Sequence, residues 1–315
     1  MDEETEIALS SPTSETGLLS PGEKSSSTPK ATFCEPLSIR QEWRQLSIPA
    51  RKSYLEAVKC LTTKPSRLNL TTSLYDDFTV VHKKRVYSVH HVSASLPWHR
   101  YFIFIFEQAL KEKCGYEGSL PYWDWTLDSK DPLASPIWDP EIGFGGSKDP
   151  ATGCVEGGPL KGFLLSNTKN IPSRHCLVRE FSNDSEFGEL HSKQWSPEIV
   201  SDILTSSKTF EELRERIERG PHKHLHDGIG GEMMSFTSSN DPLFYLHHAQ
   251  VDRLWSMWQQ QDPDVRMREY SGKDVFGGVS TVGHILDMGG LGEEGHSILH
   301  TLSSTNGPFC YHTIN

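Results

Sequence analysis

The apolar positions of the chain gather into a few helical stripes separated by long irregular stretches. The strongest stripe is NDPLFYLHHAQVDRLWSMWQQ at 240–260. Asp241 then Pro242 places a capping carboxylate before a proline whose missing N–H is harmless in a first turn, so a helix starts there. No Gly or Pro interrupts it until Pro263, and Phe244, His248, Asp252 and Trp255 fall on one face. Earlier, 38–62 shows helical periodicity through Trp43, Leu46, Tyr54, Ala57 and Leu61. Residues 73–91 and 98–113 read as two more helices, the second rich in aromatics. Residues 196–219 read as another, with Phe210 and Leu213 facing in and EELRERIER outside. Gly and Pro recur through 115–179, which predicts a long irregular connection with at most short strands. The stretch after Pro263 is loop-rich again. The fold class is therefore mainly α with long loops.

Composition narrows the functions. A net charge of −11 with no basic run argues against a nucleic-acid partner. No apolar run approaches the ~20 residues a membrane span needs, the most apolar being YFIFIF at 101–106. Residues 1–33 are acidic, then rich in Ser, Thr and Pro, and carry neither a basic nor an apolar targeting segment. They are expected to form a disordered tail ahead of a domain over 34–315. Six cysteines include no CxxC pair, so a zinc ribbon is not expected. Cys154 with Cys176 is the nearest pairing, and Cys34 with Cys310 would tie the ends of the domain. The cysteines and two sequons, at Asn69 and Asn183, suggest a secretory compartment, although no signal peptide is legible.

The chemistry lies in the histidines, of which there are 15. GPHKHLHDGIGG sets His222 and His226 four apart, on one side of a helical turn, with His248 on the long helix nearby. His82 and His90 lie two turns apart, and His99 opens the next helix. Each cluster offers three imidazoles from a helix pair. All-imidazole sites suit copper or zinc, and copper binds most tightly in the divalent series. His91, His224 and His247 sit beside these histidines. An adjacent helical residue points ~100° away, so His91 and His247 are set aside, with His224, as supporting or surface residues.

H(90)-x₄-S-L-P-W-H(99)-R and D(241)-P-L-F-Y-L-H-H(248)-A-Q-V-D(252) resemble the two copper signatures of the tyrosinase family, which includes tyrosinases, catechol oxidases and haemocyanins. PYWDWT, IGGEM and DRLWSMWQ look like the short fungal members in particular, and the resemblance covers about 34–315. It implies a four-helix bundle holding a type-3 dicopper centre, with two copper ions as cofactor and O₂ as co-substrate. By position, His82, His90 and His99 match the ligands of the first copper, and His222, His226 and His248 those of the second. The implied activity is oxidation of phenols and o-diphenols to o-quinones. The implied partner is a small phenol or a phenol-bearing peptide, with no obligate protein partner indicated.

The departures from the family pattern are as informative. Members often carry, two residues before the second histidine, a Cys joined to an imidazole; here that residue is Ser88. Ser95 stands where Phe is usual. Lys223 follows the first histidine of the second site, where good monophenol hydroxylases often have Asn. A lysine ammonium only donates, so it cannot accept from a water that deprotonates a monophenol, and Glu218 is expected to pair with it. Asp252 is expected either to orient a ligand or to pair with Arg100 or Arg253. Ser235, Phe236 and Asn240 are further candidates to touch substrate or support the ligands. Three other readings compete. A zinc hydrolase fails because HKHLH lacks the Glu of an HExxH helix. A haemocyanin-like carrier would share the ligands and differ in access. An oxidase that hydroxylates or cross-links a phenol in a secondary-metabolite or peptide pathway is the third.

Overall fold

The computed structural model describes residues 34, 36–166, 174–182, 192–293 and 295–314. The expected tail at 1–33 and the sequon at Asn183 lie outside these residues, while Asn69 is exposed in a loop.

Three long helices carry the bundle, and local signals set their ends. In α2, Leu74–Val89, the Ser73 and Asp76 side chains each accept from the other's backbone N–H, satisfying two orphan donors. In α3, Ser95–Cys114, the helix stops at Gly115, whose φ of 67° is left-handed. The last long helix, named α7 in chain order, is Leu243–Gln260. Asp241 caps it, accepting from the Leu243 N–H at 2.9 Å, and the same buried carboxylate grips Arg179 at 2.6 and 2.8 Å. α3 and α7 pack closely, with the Phe106 and Tyr245 rings stacked. Each such buried aromatic contributes on the order of 1.5–3 kcal/mol.

Two expected helices are corrected. Of the 38–62 stretch Ile48–Leu61 is α-helical (α1) and Trp43–Gln45 forms a 3₁₀ turn; β1, Ser38–Arg40, instead pairs in parallel with β4, Tyr311–Thr313. The 196–219 stretch divides into α4, Pro197–Ser206, and α5, Phe210–Ile217. Thr209 and Glu212 form a capping box that starts a new helix at the break. Among its described residues the 115–179 connection holds short 3₁₀ turns and an antiparallel pair of short strands, β2 Leu164–Leu165 with β3 His175–Cys176. Among the described residues no helix is long and apolar enough to cross a membrane.

Disulfides join Cys34 to Cys310 and Cys154 to Cys176, as expected, and Cys60 to Cys114. The last ties the end of α1 to that of α3. A buried ion cluster fastens the β1–β4 pair to the bundle. Arg40 contacts Glu107 at 2.9 Å and Asp252 at 3.3 Å, while Arg100 meets Asp252 at 2.5 Å. The Tyr311 hydroxyl also donates to Asp252.

Candidate metal centre

His82 lies on α2, His90 is the first residue beyond it, and His99 sits in the opening turns of α3. One ring nitrogen from each lies within 4.8 Å of the others. Opposite them, His222 ends a π turn at Glu218–His222, His226 lies on α6, Lys223–Ile229, and His248 on α7. Pro221 explains the irregular turn: it has no N–H to give and its ring crowds the carbonyl four residues back, so the run kinks at Gly220, whose φ of −94° and ψ of −110° are not helical. The two groups face each other, His99 stacking on His248 with centroids 4.3 Å apart.

Backbone carbonyls fix five of these six rings. Nδ1 of His90, His99 and His222 meets the carbonyl four residues earlier, at 3.0, 2.8 and 3.4 Å. Nδ1 of His82 meets the Phe236 carbonyl at 3.2 Å, and that of His226 the Met233 carbonyl at 2.6 Å. A carbonyl only accepts, so Nδ1 carries the proton and Nε2 keeps its lone pair. Nε2 of His82, His99 and His226, and both nitrogens of His248, are buried without a hydrogen-bond partner. Leaving such a group unpaired costs about 1–3 kcal/mol, and a metal ion would satisfy several at once. Burial, reinforced at most of them by neighbouring imidazoles, depresses the pKa of all six, that of His226 to about 4. They are therefore neutral at pH 7, as metal ligands must be.

Four of the six imidazoles, those of His82, His90, His222 and His226, line a pocket of about 580 Å³, and those of His99 and His248 do not. Tyr87, Met234 and Phe236 form its rim and are 76%, 67% and 53% exposed. Lys223 stands at the mouth, but its ammonium pairs with Asp227. Glu218 pairs instead with Arg214 at 2.6 Å, and its other oxygen accepts from the His91 N–H at 2.7 Å and the Ser95 hydroxyl at 3.3 Å. The expected Glu218–Lys223 pair is thus replaced by two pairs at i,i+4 spacing.

Asp252 meets arginines rather than a histidine. Arg253 turns to Asp124 at 3.3 Å. Ser235 folds back onto the Glu232 carbonyl and the Thr237 hydroxyl. Asn240 is buried between Glu232 and Thr79. The Ser88 hydroxyl donates to the Arg85 carbonyl at 2.9 Å. Two residues that matter, Arg214 and Glu232, escaped the sequence reasoning, and a third, His247, was set aside there as a supporting or surface residue. His247 is fully buried, its ring nitrogens lack hydrogen-bond partners, and it approaches the second group within 4.8 Å. Its tandem position beside His248 was the available signal.

Residues 72–261 match the common central domain of tyrosinase, and all six clustered histidines fall inside that span. Tyrosinase ustQ from Aspergillus flavus is 38% identical, the match covering 88% of this chain and 80% of that protein. Tyrosinase-like protein phomQ1 from Diaporthe leptostromiformis is 39% identical, over 83% and 74%. A polyphenol oxidase from Thermothelomyces thermophila superposes with a TM-score of 0.74 at 26% identity, covering 89% of each chain.

Proposed function

Because the chain belongs to the tyrosinase family, we propose that it is a dicopper oxidase converting o-diphenols to o-quinones at the expense of O₂. The observation that carries this reading is the pair of facing imidazole groups, with buried Nε2 atoms left without partners, beside an accessible pocket lined by His82, His90, His222 and His226. His82, His90 and His99 would hold one copper, and His222, His226 and His248 the other. The coppers would supply the redox chemistry, taking two electrons from each diphenol and passing them to O₂, with two diphenols consumed per O₂ reduced to water. The protein's part is to present neutral imidazoles in fixed orientation and to admit a phenol past Tyr87, Met234 and Phe236. His248 rather than His247 is assigned as a ligand because its ring stacks on His99 of the opposing group at 4.3 Å, whereas His247 packs against His226 and His222 of its own group, at 4.9 and 5.3 Å.

Monophenol hydroxylation should be weak. It needs a base for a phenol proton that a chelating catechol gives up more readily. Glu218 has both oxygens committed, and the Lys223 ammonium cannot accept. The test is initial quinone formation by copper-loaded protein on matched catechol and monophenol pairs, for wild type and Lys223→Asn. Wild type should strongly favour catechols, and the variant should gain on monophenols. Equal wild-type rates, or no copper uptake, would count against the proposal.

The exposed apolar rim also supports a second reading, an oxidase that hydroxylates or cross-links a larger phenolic metabolite or a phenol-bearing peptide. An open mouth is a feature an oxygen carrier has no need of, which weighs against haemocyanin-like storage.

A further inference from the structure

Four of the six clustered rings are oriented without help from the loop at 230–240: three hold a carbonyl of their own helical run, and His248 has no such partner. The other two are His82, in the first group, and His226, in the second. Both rest on this one loop, through the carbonyls of Phe236 and Met233. The position of a single irregular segment therefore orients one imidazole on each side of the centre.

The loop lacks a helical or strand ladder over most of its length, so other contacts must hold it. Its start is wedged against the 178–180 backbone. A Cβ on Gly230 would lie 2.1 Å from the Glu180 carbonyl oxygen, and one on Gly231 2.2 Å from that of Val178; both glycines have positive φ. The middle is closed by the Glu232 carboxylate, which is 7% exposed. One oxygen meets Nε2 of His175 at 2.8 Å. The other accepts from the Asn240 amide at 3.0 Å and the Thr237 hydroxyl at 3.3 Å. Asn240 in turn accepts from Thr79 of α2 at 2.8 Å, so the chain of bonds ends on the helix that carries His82.

We infer that Glu232 is a positioning residue for both metal sites at once. Its carboxylate draws the two ends of the 232–240 turn together, and Met233 and Phe236 lie between them. Losing it leaves Asn240, Thr237 and His175 without their shared acceptor, and both carbonyls move. The inference rests on the dicopper reading above and adds that the two sites are coupled through the protein as well as through space.

The test compares wild type, Glu232→Ala and Glu232→Gln by Cu(I) competition titration against a chelator, and by backbone amide hydrogen exchange over 233–240 in the copper-free protein. Glu232→Ala should weaken copper binding at both sites, by about tenfold, the lower end of what losing an indirect support to a metal ligand costs. It should also speed exchange across 233–240. Glu232→Gln keeps an acceptor for Asn240 and Thr237 and should restore both properties. Weakening at one site alone, or wild-type affinity and exchange in a folded Glu232→Ala protein, would overturn the inference. Should Glu232→Ala not fold, Thr237→Val removes one bond of the clasp and must weaken both sites by a few-fold, or the inference fails. A wild type that takes up no copper would refute the oxidase reading, while the exchange comparison would still decide whether Glu232 holds the loop.

Discussion

Replacing Asp252 by Ala separates two roles that its place one turn after His248 leaves open: orienting a ligand or satisfying buried arginines. The structure assigns it the second. Asp252 is 4% exposed, and Arg40 and Arg100 are fully buried. After Asp252→Ala, Arg40 keeps Glu107 at 2.9 Å. Arg100 keeps only neutral partners: the Thr301 carbonyl at 2.8 Å, the Ser256 hydroxyl at 3.0 Å and the face of Trp255. It would then be a buried cation with no carboxylate. Removing one partner of a buried pair costs roughly 3–5 kcal/mol, and the neutral acceptors around Arg100 place this case near about 3 kcal/mol. For a domain of about 280 residues that is a drop in Tm of about 5 °C. Calorimetry on copper-free protein reads the loss directly, and metal analysis of the folded fraction should still find two coppers per chain. A stability within about 1 kcal/mol of wild type would refute the reasoning. So would normal stability with copper lost, which would make Asp252 a ligand support.

Two further outcomes follow from the histidines. Their folded-state pKa values lie below the ordinary value of 6.5, from burial first and, at most of them, mutual repulsion second. As pH falls below about 6.5 the unfolded chain takes up protons that the folded chain refuses. Copper-free stability should therefore be full above that pH and decline steadily toward about 4. His226, moving from 6.5 to about 4, corresponds alone to about 3 kcal/mol, less for its partial exposure; urea midpoints that stay flat between pH 6.5 and 4.5 would contradict this. Separately, His247→Leu should retain two coppers per chain whereas His248→Ala retains one, and metal analysis giving the reverse would reassign the ligand.

The parts of this fold that were legible in the sequence are those whose signals are local. The long helices α2 and α7 announce themselves through Ser73, Asp76, Asp241 and Pro242, side chains that satisfy or spare backbone groups within one turn. The clustered histidines were legible because most lie on helices, where spacing fixes a face, although His90 falls just past the end of α2 with extended backbone. β1 was not, because a three-residue strand has no periodicity of its own and its partner, β4, begins at Tyr311. The break between α4 and α5 could have been read, since Thr209 and Glu212 carry a capping-box spacing inside an otherwise continuous apolar stripe.

The surroundings of the site divide along the same line. The pairs Arg214–Glu218 and Lys223–Asp227 obey the i,i+4 rule, which would have kept Glu218 from Lys223, five residues on and across a π turn. Glu232 obeys no such rule. Its partners come from β3, from the far end of its own loop and, through Asn240, from α2, and only the folded chain brings them together. The two imidazole groups can be read largely from the helices that carry them, because spacing along a helix fixes direction. The residues that hold the ligands still are chosen by whatever lies behind the ring, and behind His82 and His226 lies an irregular loop whose course is set by tertiary contacts. Glu232 is for that reason both a residue sequence reasoning missed and the one whose substitution most directly tests how the two halves of the centre are kept in register.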